Sequence, residues 1–217
     1  MKRPHCPRCL RPQSTCICQW IRPTEHATDV LILQHPMEMH QAKGSAYLLH
    51  LSLPCSRLVV GEAFEEHALR NLLFEPFSAE RHDADAALPI HPVLLYPATD
   101  VVADGNPSPA TQDASLSSIN SVRTRLVVLD GTWRKSRKML HLNPLLRQLP
   151  RLALHHPPVS HYRIRKAHRA DQLSTYEATC HALMELEDDA EKFQPLLQAF
   201  DGFVSQQLSH VLHHASG

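Results

Sequence analysis

Four apolar stretches recur along this chain, "DVLILQHP", "SRLVVG", "PVLLYP" and "RLVVLDG", each short and each closed by proline or glycine. Runs of this length bounded by turn formers read as buried strands. Helix-compatible sequence lies between them, from about Ala42 to Leu53 and around "EEHALRNLLF". Apolar strands that alternate with helices build a parallel sheet covered by helices. The expected fold is therefore α/β, a mostly parallel sheet with flanking helices. "RLALHH" reads as its last strand, and Asn143-Pro144 as the N-cap and first position of a short helix. Near the C-terminus Phe193, Leu197, Phe200, Val204, Leu208 and Val211 recur at helical spacing, one core-facing stripe. Residues 98–121, polar and rich in Gly, Pro and Ser, read as a loop or insertion without chemistry.

A chain of 217 residues has room for one domain with a real core and a small appendage. No apolar run approaches the roughly 20 residues of a membrane span. The N-terminal stretch lacks the apolar segment of a signal peptide. A soluble cytoplasmic protein with no membrane partner is expected.

The appendage is the Cys-rich segment, residues 1–25, ahead of a main domain at 26–217. Cys6, Cys9, Cys16 and Cys18 form C-x2-C-x6-C-x-C. Four thiols so close together in a cytosolic chain suit a tetrahedral Zn²⁺ better than disulfides. A redox dithiol is the competing reading of C-x-x-C, but such motifs sit where a strand meets a helix. The tight C-x-C leaves room for His5 or His26 to replace one thiol. Cys55 and Cys180 read as small buried residues.

Formal net charge is zero, yet it is unevenly spread. Residues 123–169 carry twelve Lys and Arg against the single acid Asp130, and residues 1–26 carry five against Glu25. Such a distribution admits a polyanionic partner that the neutral total conceals. Within the basic block, Arg134, Lys135, Arg137 and Lys138 fall in the first turns of an expected helix, where the backbone dipole favours negative charge. The placement makes sense if an anion such as an RNA backbone docks there. Arg163, Arg165, Lys166 and Arg169, in a stretch without apolar periodicity, suit phosphate contacts as well.

Ligands of α/β folds collect beyond the carboxyl ends of strands. Gln34-His35, Asp130 and His155-His156 all hold that position. Asp130 reads either as a carboxylate facing a ligand or as part of a turn in which Thr132 caps the next helix. Trp133 either stacks on a ligand or fills the core. Ser174 and Glu177 have the spacing of a capping box.

"CPRCLRPQSTCIC", "LILQHPME", "VLLYP", "LDGTWRKSRKML" with "LNP", and "YRIRKAHRADQLSTYEA" occur in this order from Cys6 to Ala178. In this the chain resembles the DTW-domain family, with the D-x-T-W core at Asp130-Gly131-Thr132-Trp133. The resemblance implies a tRNA-uridine aminocarboxypropyltransferase of SPOUT-like fold with a knotted C-terminal region. It implies tRNA as partner and S-adenosylmethionine as co-substrate, and leaves oligomeric state open. The co-substrate would lie against Gln34, His35, Leu95, Tyr96, Pro97, the Asp130–Trp133 turn, and Leu173, Ser174, Thr175 and Glu177. Asp130 is then the candidate base for uracil N3, or it holds the co-substrate and Glu177 is the next suspect. The sulfonium is itself reactive, so no catalytic metal is needed. A SPOUT-type RNA methyltransferase and a non-catalytic zinc RNA-binding module are the rivals. The second gives no reason for Gln34-His35 and Asp130 at strand ends.

Overall fold

The computed structural model describes residues 4–39, 41, 43–77, 88–97, 122–154 and 173–215, with the backbone alone for 210–215. The elements are β1 (Asp29–Gln34), α1 (Ala46–Ser52), β2 (Ser56–Val60), α2 (Glu66–Phe74), β3 (Ile90–Leu95), β4 (Arg123–Asp130), α3 (Trp133–Leu142), α4 (Pro144–Arg147), β5 (Arg151–Leu152), α5 (Thr175–Glu187) and α6 (Ala190–Ala215). The described chain forms two compact units: His26–Met39 with Cys55–His155, and Met1–Glu25 with His40–Pro54 and His156–Gly217.

The first unit holds the sheet. Its five strands run in the order β2-β1-β4-β3-β5 and are all parallel, as the apolar runs require. Leu31, Leu33, Val127, Leu129 and Leu94 point to one face and pack with Leu69 and Leu73 of α2, Met139 and Leu140 of α3, and Leu146 of α4. Val30, Ile32, Leu126 and Val128 on the opposite face are buried too, which explains why neither central strand alternates with polar residues. Two strands depart from expectation. β2 is an edge strand, only half-buried along its length. Of "RLALHH" just Arg151 and Leu152 pair, with Leu94 and Leu95.

At the amino ends of the two central strands, Asp29 stands in register with Arg125. Asp29 accepts from Arg123 Nη2 at 2.6 Å and from Arg125 Nη2 at 2.9 Å. Arg125 Nη1 also donates to the carbonyls of Leu72 and Glu75, at 2.7 and 2.8 Å, which satisfies the carboxyl end of α2. Its guanidinium lies 3.9 Å from the ring centroid of Phe77. Burial pushes Arg125 down from its ordinary value, and the bonds to Asp29 pull it back. Two members of the basic block are thus internal struts rather than a surface for polyanions.

The second unit is helical around the N-terminal segment. Tyr176 stacks on Phe200, with centroids 4.8 Å apart, and Leu48, Leu49, Leu183 and Phe193 are buried in the same unit. α6 buries Phe193, Leu196, Ala199, Phe200, Phe203, Val204 and Gln207. Its inward face is therefore turned from the expected stripe: Leu197 and Leu208 are only half-buried, and the side chain of Val211 is outside the described residues. Gly202 is the reason on one side, because a Cβ there would collide with the Trp20 ring. Trp20 Nε1 donates to Gln206 Oε1, and Gln206 Nε2 donates to the Cys16 carbonyl at 3.1 Å. Among the described residues no helix is long and apolar enough to cross a membrane. The knot implied by the resemblance is not traced, since residues 155–172 lie outside those described.

Candidate active site and metal centre

β1 is followed in sequence by β2 on one side of it, and β4 by β5 on the other. The chain therefore leaves these adjacent strands in opposite directions, which opens a crevice beyond their carboxyl ends. Gln34 and Asp130 face each other there in register. Gln34 Nε2 donates to Asp130 Oδ2 at 2.9 Å, and the His35 N–H donates to the Asp130 carbonyl at 2.9 Å. Asp130 is 7% exposed, a carboxylate at the wall of the crevice.

The turn after Asp130 delivers α3. A Cβ on Gly131 would stand 3.1 Å from Lys135 Cβ, tighter than ordinary contact, so glycine spares the first turn of α3 that crowding. Thr132 Oγ1 caps the helix by accepting from Lys135 N at 3.4 Å. Trp133 stays 41% exposed and meets Tyr96 edge-on, centroids 5.6 Å apart at 76°. Its indole therefore does not fill the core.

Two carboxylates unmarked in the sequence complete this region. His35 Nδ1 accepts from Met37 N at 3.1 Å, and its Nε2 lies 2.8 Å from Glu62 Oε1. Both ring nitrogens are engaged, with the proton on Nε2, so the imidazole ties the Glu62 loop to the turn after β1. Glu62 Oε2 takes Lys138 Nζ at 2.9 Å. Lys138 first, then His35, holds the Glu62 carboxyl below its ordinary value. Lys135 Nζ reaches Glu38 Oε1 at 2.8 Å. Half of the cationic cluster in α3 therefore answers carboxylates of this chain. Glu38 and Glu62 both follow strand ends, those of β1 and β2, and that position was the signal available in the sequence.

Asn143 and Pro144 hold the expected N-cap and first positions of α4, but the asparagine side chain has another job. It makes no side-chain cap to α4. Its Oδ1 accepts from Phe64 N at 2.9 Å, and its Nδ2 donates to the carbonyls of Glu62 at 2.9 Å and Met139 at 2.6 Å. It fixes the loop that carries Glu62.

Leu173, Ser174, Thr175 and Glu177 belong to the helical unit. Ser174 N donates to Glu177 Oε2 at 2.8 Å and Glu177 N to Ser174 Oγ at 3.2 Å, a complete capping box. His155, His156, Arg163, Arg165, Lys166 and Arg169, and the stretch 98–121, lie outside the described residues. Leu95 ends β3 and Pro97 follows Tyr96, its carbonyl accepting from Arg151 Nη1 at 3.1 Å.

In the N-terminal segment the sulfurs of Cys6, Cys9, Cys16 and Cys18 all lie within 4.8 Å of one another. Cys6 and Cys18 are 3.5 Å apart, Cys9 and Cys16 3.7 Å. A tetrahedron with Zn–S bonds of about 2.3 Å has edges of about 3.8 Å, so the donor set fits that ion. Backbone N–H groups of Cys9 and Arg8 lower the Cys6 thiol to about 6, whereas burial and the neighbouring sulfurs push Cys18 up to about 12. One thiolate forms readily, and the crowding opposes four without a cation among them. His26 is not the substitute ligand: its Nδ1 pairs with the Thr28 carbonyl at 2.6 Å and its Nε2 accepts from Cys55 N at 3.2 Å. Buried Cys180 is raised above its ordinary value by desolvation, in keeping with an inert core thiol.

Comparison with known proteins bears on the whole chain. A family model described as DTW domain matches residues 3–208. Proteins named tRNA-uridine aminocarboxypropyltransferase 2 are similar to it: that of Mus musculus is 28% identical over 96% of this chain and 65% of its own length. The Macaca fascicularis protein is 26% identical with the same two coverages. That of Drosophila melanogaster is 28% identical over 99% of this chain and 80% of its own. The chain thus spans slightly less than two-thirds of the mouse and macaque relatives. No solved structure matches it.

Proposed function

The chain belongs to the DTW domain family, and from that premise we propose that it is a transferase that modifies uridine in tRNA. In this proposal the 3-amino-3-carboxypropyl group of S-adenosylmethionine moves to N3 of the base. The observation that supports it is the Gln34–Asp130 pair at the crevice between β1 and β4. Uracil N3 is a poor nucleophile while protonated. Asp130 takes that proton as general base, with one oxygen held by Gln34. The N3–C bond forms as the bond from sulfur to the γ-carbon of the methionine chain breaks, its electron pair leaving on methylthioadenosine. S-adenosylmethionine supplies an electrophilic carbon. Residues Leu95 to Pro97, Gly131, Thr132 and Trp133 position it, and choice among the three carbons on sulfur is a matter of pose. Trp133 offers an exposed indole face for a base or adenine to stack on.

RNA contacts are assigned to cations of α3 and to Arg163, Arg165, Lys166 and Arg169. In the same proposal residues 1–25 supply a structural zinc centre and residues 26–217 the transferase. On this reading the protein works in a reducing cytoplasm, where thiolates stay available to a metal.

Incubation with unmodified tRNA and S-adenosylmethionine, followed by mass analysis of digested nucleosides and spent co-substrate, tests the reaction. A uridine heavier by an aminocarboxypropyl group, with methylthioadenosine formed, is expected. Methylated nucleoside with S-adenosylhomocysteine would assign a methyltransferase instead, and unchanged co-substrate a binding module. Metal analysis is expected to return one zinc per chain, and its removal by a chelator to unfold the N-terminal segment.

A further inference from the structure

α3 carries its four cations as two pairs with different surroundings. Lys135 and Lys138, three residues apart, each end on a carboxylate, Glu38 at 2.8 Å and Glu62 at 2.9 Å. Arg134 and Arg137 have the same spacing but are rotated by about 100° round the helix. Both are exposed, and neither has a hydrogen bond or ion pair among the described residues. Like charges at this spacing repel, and α3 has no acid to relieve them; Asp130 is the only Asp or Glu between residues 123 and 169. The indole of Trp133, exposed beside Arg134, begins the same stretch.

We propose that Arg134 and Arg137 are the phosphate-contacting pair that seats the tRNA backbone beside Asp130, and that Lys135 and Lys138 take no part in RNA contact. The assignment rests on the reading of the chain as a tRNA-modifying enzyme. Its physical basis is the partition of charge. Each lysine answers a carboxylate where it stands, and withdrawing Lys135 would cost Glu38, 3% exposed, an ion pair. The arginines keep their full charge, and the planar guanidinium matches a phosphate through two parallel N–H bonds. With the indole next to them they make a surface of cations and one stacking face, the combination that grips a nucleic-acid strand without reading it.

The test is tRNA affinity measured across salt concentrations for three proteins: wild type, Arg134→Gln/Arg137→Gln, and Lys135→Gln/Lys138→Gln. Wild-type log affinity should fall linearly with log salt. The arginine variant is expected to show a slope shallower by about two, roughly one for each phosphate contact removed. The lysine variant is expected to keep the wild-type slope and to melt at a lower temperature. Single variants Arg134→Gln and Arg137→Gln, each shallower by about one, repeat the test should the double variant fold poorly. Equal slopes in the wild type and the arginine variants, or a slope lost in the lysine variant, would overturn the assignment. A wild-type protein that binds no tRNA at any salt would instead sink the underlying functional reading.

Discussion

β1 and β4 lie side by side and carry a polar pair at each end. At the amino end Asp29 faces Arg125, and at the carboxyl end Gln34 faces Asp130. The amino-end pair is sealed, both residues 0% exposed and bonded to Arg123, to carbonyls of α2 and to an aromatic ring. At the carboxyl end the Asp130 carboxylate accepts from the Gln34 amide, which orients it. In the proposed function the same residue type serves structure at one end and chemistry at the other. Paired guanidinium groups suit a strut, and an amide donor that fixes direction suits the general base proposed for Asp130.

Breaking each pair should therefore give opposite signatures. Asp130→Asn is expected to slow single-turnover transfer by about 10²–10⁴-fold, the usual contribution of a general base, with its melting temperature nearly unchanged. Asp29→Ala is expected to cost about 3–5 kcal/mol in urea unfolding, because two buried guanidinium groups lose their anion. Activity per folded molecule should survive. If the two variants exchanged these outcomes, the contrast between the strand ends would be wrong.

Smaller changes sharpen the picture. Asn143→Leu leaves a backbone N–H and two carbonyls without that partner, an expected loss of about 1–3 kcal/mol, read by the same unfolding. Its effect on turnover reports how far the Glu62 loop steadies the carboxyl end. Lys138→Gln should raise the Glu62 carboxyl back toward its ordinary value, as seen by NMR titration, since Lys138 is the chief cause of its depression. In the wild type, the stability that Glu62 adds is complete above the ordinary carboxylate range. It is lost as pH falls through the lowered folded value, and the variant should show less of that acid-side loss.

The strands, the Asp130 turn and the capping box at Ser174 were legible because their causes are local. An apolar run needs no distant partner, and a cap is satisfied within three residues. Charge was not legible in that way. Arg123 and Arg125 counted toward a basic block, yet their anion lies 94 and 96 residues away. Lys135 finds Glu38 across 97. Asn143 has the residue type and position of a cap, but neighbours from residues 62–64 claim its side chain. The face of α6 turned because a glycine admits Trp20 from the other end of the sequence. Sequence composition counts charges and apolar groups; only the fold assigns them partners.

That last contact has a consequence for how the chain is made. Gln206, which binds both Cys16 and Trp20, is translated 190 and 186 residues after them. At about 5–20 residues per second the N-terminal thiols wait roughly 10–40 s for their helix. Through that interval a bound cation would hold the four thiolates together, so the proposed metal centre would serve the newborn chain before it serves the finished one.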